Sequence, residues 1–373
     1  MKSNKLRVFI QNILSQAGIE TSNSRPWDIQ VRNDEFYEKV LRKGSIGLGE
    51  AYMDGLWECD NLEEFFCRLI SSEPEKKLKK NWKMISYYLG SVILNKSSKS
   101  RAFQIAQRHY DIDNELFRYM LDKRMVYSCA YWKDAKNLDE AQEAKLDLIC
   151  RKLNLKPGCK VLDIGCGWGS FVKYAAEKYN VISVGITISK EQAEFARDYC
   201  KGFPVEIRLQ DYRDVDEQFD YIVSVGMFEH VGYKNYLTYM RTANKNLKDE
   251  GMFLLHTIGN NVSKVACDPW IDKYIFPNSL IPSMKQITSC IEGLFVMEDF
   301  HNFGYHYYLT LMEWFRNFNK NWDKIKENYD ERFYRMWKYY LLSSAASFKC
   351  RDLQLWQIVL SKKGVPGGYQ PVR

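Results

Sequence analysis

The stretch Val161-Leu162-Asp163-Ile164-Gly165-Cys166-Gly167-Trp168-Gly169 constrains the fold of this chain most strongly. A short apolar run reads as a buried strand. Three alternating glycines follow, and a helical pattern begins near Ser170. Glycine at every second position permits positive φ and lets backbone N–H groups approach a ligand with no Cβ in the way. A turn of this kind also delivers the ligand to a helix N-terminus, where free N–H groups favour it. The spacing is not the Gly-x-Gly-x-x-Gly of dinucleotide sites. Alone, such a turn is equally compatible with a plain strand–helix connector, so the downstream pattern has to decide.

That pattern is regular. Apolar runs at Val161–Ile164, Val181–Thr187, Val205–Leu209, Tyr221–Val225 and Met252–His256 read as strands. Helical periodicity marks Leu138–Leu153 before them and Lys190–Cys200 and Tyr233–Asn246 between them. Alternation of this sort predicts a parallel sheet with helices on both faces. A ligand then lies at the carboxyl ends of the strands. Polar residues gather at those ends. Thr187, Ser189 and Gln192 follow the second strand. Many nucleoside-binding folds place a ribose-binding carboxylate there; this chain has none, which leaves Gln192 as the candidate. Gln210, Asp211 and Tyr212 follow the third strand and are placed to reach a base. Glu229 follows the fourth and His256 closes the fifth, beside the glycine turn, a position that favours function over capping. With this downstream order, Asp-x-Gly-x-Gly-x-Gly resembles the nucleoside-binding turn of S-adenosylmethionine-dependent methyltransferases.

The flanks predict a second region. Residues 1–75 read as a small, mainly helical N-terminal domain, with helices near Leu6–Ala17 and Phe36–Arg42. The glycine-rich, aromatic stretch Gly44–Asp60 offers no nucleophile and base, so it is assigned to packing. Residues 76–102 form a basic linker. Lys76, Lys77, Lys79, Lys80 and Lys83 precede an apolar segment around Ile85–Leu94, and no acidic residue lies between Lys76 and Arg101. This is either a solvated run or a segment that meets anionic headgroups while its apolar part enters the acyl boundary. No nucleic-acid module accompanies it. Residues 103–373 are the catalytic domain, with substrate-side helices at about 259–350. Aromatic residues reach 15%, including 25 Tyr, and crowd into Leu309–Ser347, read as one long helical run. The excess suggests a lined apolar tunnel. The net charge of +7 fits an anionic surface without requiring one. Ten cysteines stand singly, with no Cys-x-x-Cys, so neither a metal site nor a disulfide scaffold is expected and a reducing cytosol is. No apolar run has the length of a signal segment or a membrane span.

Over essentially its whole length the sequence resembles the bacterial cyclopropane-fatty-acyl-phospholipid synthases, within the mycolic acid cyclopropane synthase superfamily. Gly44–Asp60, His109–Phe117, Tyr127–Trp132, Val161–Gly169, Gln210–Asp214, Ser224–Gly232, Leu254–Gly259, Asp268–Pro277, Met297–Gly304 and Arg351–Gln357 carry the likeness. The resemblance implies a class I methyltransferase fold: Rossmann-like, with a mostly parallel seven-stranded sheet, plus the small N-terminal domain as a lipid-binding accessory. It implies methylation of a cis double bond in a phospholipid acyl chain, then ring closure by loss of a proton to bound bicarbonate. Such chemistry asks for no protein nucleophile, because the alkene attacks the sulfonium methyl. It asks for aromatic faces to stabilise a carbocation, exclusion of water and a proton acceptor beside the added methyl. By resemblance, Cys129, Glu229, His256, the backbone of Ile258, and Tyr307 hold the bicarbonate. S-adenosylmethionine meets Tyr127, Ser128, Asp163, Gly165, Cys166, Gly167, Trp168, Gly169, Thr187, Ser189, Gln192, Gln210, Asp211 and Tyr212. The expected partner is unsaturated phospholipid at an anionic membrane surface, met peripherally from the cytoplasmic side of the plasma membrane. A homodimer is among the expectations; nucleic acid is not. Family members often carry a cysteine where this chain has Ser344, which speaks against a covalent cysteine mechanism. Two alternatives stand beside this reading: a lipid C-methyltransferase without ring closure, and a non-catalytic membrane-bound sensor of S-adenosylmethionine. Retention of Glu229, His256 and Tyr307 with the full turn argues against the sensor.

Overall fold

The computed structural model describes residues 2–22, 24–72 and 114–373. The basic run from Lys76 to Arg101 and residues 109–113 lie outside the described residues. Contacts divide the chain into two compact units that are discontinuous in sequence. One takes in the described part of Met1–Gly90 with Cys267–Pro277 and Tyr307–Leu353. The other takes in the described part of Ser91–Ala266 with Asn278–His306 and Gln354–Arg373.

In the first unit, helices span Lys2–Gln16, Glu35–Lys43, Ser45–Met53 and Leu62–Ser71. Two-residue strands β1 (Gln30–Val31) and β2 (Trp57–Glu58) pair antiparallel. The helices Pro269–Tyr274 and Glu331–Lys349, with most of Tyr305–Ile325, complete it. The glycine-rich stretch turns out to be helical, and its glycines serve close packing. A Cβ at Gly47 would lie 2.0 Å from the Lys39 carbonyl oxygen, and one at Gly49 2.3 Å from the Trp270 ring. Trp57, Trp270, Trp337, Tyr52 and Phe65 are fully buried. The long aromatic run is two helices, not one. The first ends at Ile325 and the second starts at Glu331, where the Asp330 side chain accepts from the Phe333 N–H at 2.7 Å and caps the new N-terminus. Many rings that suggested a lined tunnel face one another: Phe318 with Tyr334 (centroids 5.5 Å apart), Phe333 with Trp337 (5.7 Å) and Trp270 with Tyr339 (4.4 Å).

The second unit is built on a seven-stranded sheet. Its strands are β3 (Lys160–Ile164), β4 (Ile182–Thr187), β5 (Val205–Leu209), β6 (Phe219–Val225), β7 (Leu247–Asn260), β8 (Val296–Asn302) and β9 (Leu353–Ser361), in the order β5-β4-β3-β6-β7-β9-β8. β3 pairs parallel with β4 and with β6; β4–β5 and β6–β7 are also parallel, while β8 and β9 run antiparallel. The order reverses at β3, which puts the glycine turn at the switch point where a ligand crevice opens. Apolar side chains on both faces, such as Leu162 and Ile164 on one and Val161 on the other, belong to separate buried clusters. The expected boundaries of β3 to β6 and of the helices Leu138–Lys152 and Lys190–Tyr199 hold within a residue or two, whereas the N-terminal helix starts at Lys2 and not near Leu6. β7 runs well past Met252–His256 at both ends, and the helix expected from Tyr233 begins at Tyr236 after a 3₁₀ turn over Tyr233–Asn235. Among the described residues no helix is long and apolar enough to cross a membrane.

Candidate active site

All three glycines of the turn adopt positive φ: 86° at Gly165, 54° at Gly167 and 87° at Gly169. A Cβ at Gly165 would stand 2.5 Å from Met227 Cγ, and one at Gly169 3.0 Å from Cys200 Sγ; at Gly167 it would meet nothing within 4 Å. Gly167 therefore faces open space, a cradle that any side chain would fill. Gly169 precedes the helix Ser170–Tyr179 and supplies no side-chain cap, so its first N–H groups stay free for a ligand. Asp163, near the strand end, is buried and its Oδ1 has no partner among the described residues. Burial pushes its carboxyl up to about 7, against the opposing charge of Lys145. Cys166 packs behind β4, where a Cβ on Gly185 would come 2.9 Å from its sulfur. The Trp168 indole donates to Asn114 Oδ1 at 2.9 Å, and Phe117 meets Tyr127 edge-on and Trp168 at a tilt.

The loop Tyr127–Cys129 lies beside the end of β6: a Cβ on Gly226 would be 3.8 Å from Ser128 Cβ. Helix Leu138–Lys152 holds the loop from below. Gln142 Nε2 donates to the Ser128 carbonyl at 2.9 Å, and Lys145 Nζ donates to Ser128 Oγ at 2.8 Å. Cys129 is fully buried.

Glu229 sits just past β6, and His256 lies on β7 opposite Val225. Glu229 Oε1 accepts from the Ile258 N–H at 2.7 Å, so the backbone group expected to hold an anion is engaged by the carboxylate here. Glu229 Oε2 and His256 Nε2 are buried with no partner among the described residues. Burial pushes the Glu229 carboxyl up to about 7, with the Ile258 N–H opposing. Burial likewise depresses His256, aided by the charges of Lys145 and Lys152. Gln357 Nε2 approaches His256 Nδ1 at 3.3 Å. An amide N–H donated to Nδ1 leaves a neutral imidazole with its proton on Nε2. Tyr307 belongs to the first unit, where its ring lies 4.6 Å from that of Phe348.

The remaining nucleoside candidates are more tied up. Thr187 donates to Gln192 Oε1 at 3.0 Å, and Ser189 Oγ caps the helix Lys190–Tyr199 by accepting from the Gln192 N–H. Both Asp211 oxygens are held by Arg213, at 2.8 and 2.7 Å. Gln210 Nε2 donates to the Asp214 carbonyl, and Tyr212 is buried against Tyr239. Three residues escaped the sequence reading: Gln142, Lys145 and Gln357, each buried and each touching a candidate residue. For the first two a signal existed, since 142, 145, 149 and 152 share one helical face with the apolar residues.

A doubly wound seven-stranded sheet with this turn at its switch point defines a class I S-adenosylmethionine-dependent methyltransferase. The chain belongs to the mycolic acid cyclopropane synthetase family, whose sequence model matches residues 97–358. It is 53% identical over 361 residues to the cyclopropane-fatty-acyl-phospholipid synthase of Escherichia coli K12, covering 97% of this chain and 94% of that protein. It is 32% identical over 355 residues to the tuberculostearic acid methyltransferase UfaA1 of Mycobacterium tuberculosis, covering 90% and 83%. Among solved structures, the cyclopropane synthase MmaA2 of Mycobacterium tuberculosis matches with a TM-score of 0.66 at 30% identity, over 70% of this chain and 98% of that one. The mycolic acid cyclopropane synthase CmaA1, complexed with SAH and CTAB, gives 0.65 at 32% identity over the same shares.

Proposed function

We propose that this protein is a cyclopropane-fatty-acyl-phospholipid synthase that adds a methylene from S-adenosylmethionine across the cis double bond of phospholipid acyl chains, with bicarbonate as the base. The observation that carries the reading is a pair of buried polar atoms with no partner among the described residues: Glu229 Oε2, just past β6, and His256 Nε2, on β7 opposite the end of β6. The open space at Gly167 and the uncapped helix after Gly169 fit a nucleoside. The unsatisfied acid and imidazole fit a small oxyanion that both accepts and donates hydrogen bonds.

When bound, S-adenosylmethionine supplies an electrophilic methyl and bicarbonate a proton acceptor. The chain's own residues orient and shield. The backbone at Gly165, Gly167 and Gly169, with Asp163, Tyr127 and Ser128, would hold the nucleoside. Cys129, Glu229, His256 and the backbone of Ile258 would hold the anion. Glu229 positions it through Oε2 while Oε1 stays on the Ile258 N–H. His256, kept neutral by burial, offers Nε2–H as a donor and not as a competing base. Aromatic rings around the acyl chain stabilise developing positive charge and exclude water. Residues 1–75 serve lipid binding, and the run Lys76–Lys83 draws the protein to the inner face of an anionic membrane as a peripheral protein. Charge reversal of Lys76, Lys77, Lys79 and Lys80 should then weaken sedimentation with anionic vesicles; unchanged sedimentation would assign the run to a solvated linker.

The deciding experiment incubates the protein with S-adenosylmethionine and vesicles of cis-unsaturated phospholipid. Mass spectrometry should show a gain of one CH₂ with loss of the alkene, and NMR should show a ring. A methylene or methyl branch would make it a C-methyltransferase; no product would favour a sensor. Activity should fall in degassed, carbonate-free buffer and return with bicarbonate. Full activity without bicarbonate would move the role of base to a protein group, with Glu229 the first suspect.

A further inference from the structure

The helix Leu138–Lys152 carries two lysines on its buried face, and they are treated differently. Lys152 is matched: its Nζ lies 3.0 Å from Asp299 Oδ2, and both side chains are withdrawn from water. Lys145 is 1% exposed, yet its ammonium forms no ion pair among the described residues; its bond is the 2.8 Å one to the neutral hydroxyl of Ser128. A buried ammonium without a carboxylate is rare, because desolvation is not repaid by a partner charge.

The acids whose charge acts on Lys145 do not close the gap. Asp122 is engaged by the N–H groups of Arg124 and Val126, each at 2.9 Å, and burial pushes it up to about 6. Asp163 keeps an unpartnered Oδ1 and is itself pushed up to about 7. The Ser128 hydroxyl accepts from Lys145, so its own proton is free to point elsewhere as a donor. Ser128 lies beside Gly226 at the end of β6, next to Cys129.

We infer that Lys145 is a positioning residue that, through Ser128, serves as the counter-charge of a carboxylate-class anion bound over that hydroxyl. The inference rests on the proposed methyltransferase reading, which offers two sources of such an anion: the carboxylate of the S-adenosylmethionine amino acid moiety, and bicarbonate. Either completes the charge that the protein leaves open.

The test uses the full chain and Lys145→Met, which keeps the length and removes the charge. Calorimetry compares S-adenosylhomocysteine with its decarboxylated analogue. Loss of roughly tenfold or more in affinity for the first only, the order expected for a hydrogen-bonded charge, identifies the nucleoside carboxylate as the anion. Unchanged nucleoside affinities with a roughly tenfold rise in the half-saturating bicarbonate concentration identify bicarbonate. The ligand-free variant should melt at the same or a higher temperature, since an unmatched buried charge has been removed. Equal weakening of both nucleosides with a lower melting temperature makes Lys145 a structural tie and overturns the inference; so does a folded variant with every affinity unchanged. If Lys145→Met does not fold, Ser128→Ala must show the same selective loss, and equal discrimination by that variant overturns the inference too. A parent protein that binds no S-adenosylhomocysteine would instead overturn the methyltransferase reading itself.

Discussion

Glu50 in the first unit and Glu229 in the second are both buried glutamates, and their surroundings are opposite. Glu50 is closed on all sides: Lys43 at 2.7 Å, Lys273 at 2.6 Å and the Tyr274 hydroxyl at 2.9 Å. Burial works to raise its carboxyl, but those three partners overcome it and hold the group at about 2. Glu229 accepts the Ile258 N–H on one oxygen and has no partner for the other among the described residues, and burial takes it up to about 7. Asp28 and Asp163 repeat the contrast. Asp28 is wrapped by Arg25, Ser24 and the Glu20 N–H; Asp163 has an oxygen with nothing on it. Buried charges that are fully paired act on stability. Buried groups left open and shifted toward neutrality point to a site that a ligand completes.

Mutation should separate the two kinds of glutamate. The largest effect is expected for Glu229→Gln, which removes charge while keeping shape. Turnover should fall by about 100-fold or more, the range of a proton-transfer defect, while calorimetric affinity for S-adenosylhomocysteine stays within about twofold of the parent. A variant that loses nucleoside binding as well would erase the distinction between anion and cofactor groups. Gly167→Val should abolish nucleoside binding, because its Cβ enters the open cradle and the residue must hold φ near 54°; near-normal affinity in a folded variant would relocate the cofactor.

A middle-sized effect concerns pH. The folded-state pKa values of Glu229 and Asp163, each about 7, lie above their unfolded values. The protonated forms are thus favoured by folding. Their contribution is fully present below about pH 4 and lost as pH rises through 7. Buried His230, depressed to about 4, acts oppositely below its unfolded value. The comparison of parent with Glu229→Gln isolates one carboxyl: from pH 5 to 7.5 the ligand-free parent should lose about 2 kcal/mol more stability than the variant, measured by denaturant titration. Parallel pH curves would mean that Glu229 is ionised in the fold.

The smallest effect is expected at Glu50→Gln. Lys43 and Lys273 are half exposed, so solvent takes over part of their pairing. A loss of about 1 kcal/mol is expected, seen as a melting-point drop of a few degrees, with turnover per folded molecule unchanged. A turnover defect as deep as that of Glu229→Gln would put Glu50 in the chemistry.

The sheet was legible because its determinants are local. Apolar runs bounded by Gly165, Gly226 and their neighbours mark strand ends, and the alternation of periods fixes the architecture. The glycine-rich stretch at 44–55 was assigned to packing, as found, but its helix went unread for a physical reason. Gly47 and Gly49 normally weaken a helix, but here they admit the Lys39 carbonyl and the Trp270 ring, which tertiary packing rewards. Glu229 was readable as a residue just past a strand; His256 was read as closing one, but β7 continues to Asn260; the engagement of the Ile258 N–H by Glu229 was not legible, since it joins residues 29 apart in the chain. Lys145 was passed over because of its type, although its place on the apolar face of the helix was readable. A lysine on a helix reads as solvated, and only the packing of that helix under the Ser128 loop withdraws it from water.

The acid at the start of the glycine turn also has a consequence for heat. Asp163, poised at about 7, is part protonated near neutrality. A sulfonium brought close to it favours the ionised form, so binding of S-adenosylmethionine is expected to expel a proton into the buffer, whereas S-adenosylhomocysteine, lacking that positive charge, expels less. The apparent binding enthalpy of the first should therefore change between phosphate and Tris at pH 7 in proportion to the buffers' ionisation enthalpies, and that of the second should change less. The enzyme would then sense the charge on its cofactor's sulfur through a proton count.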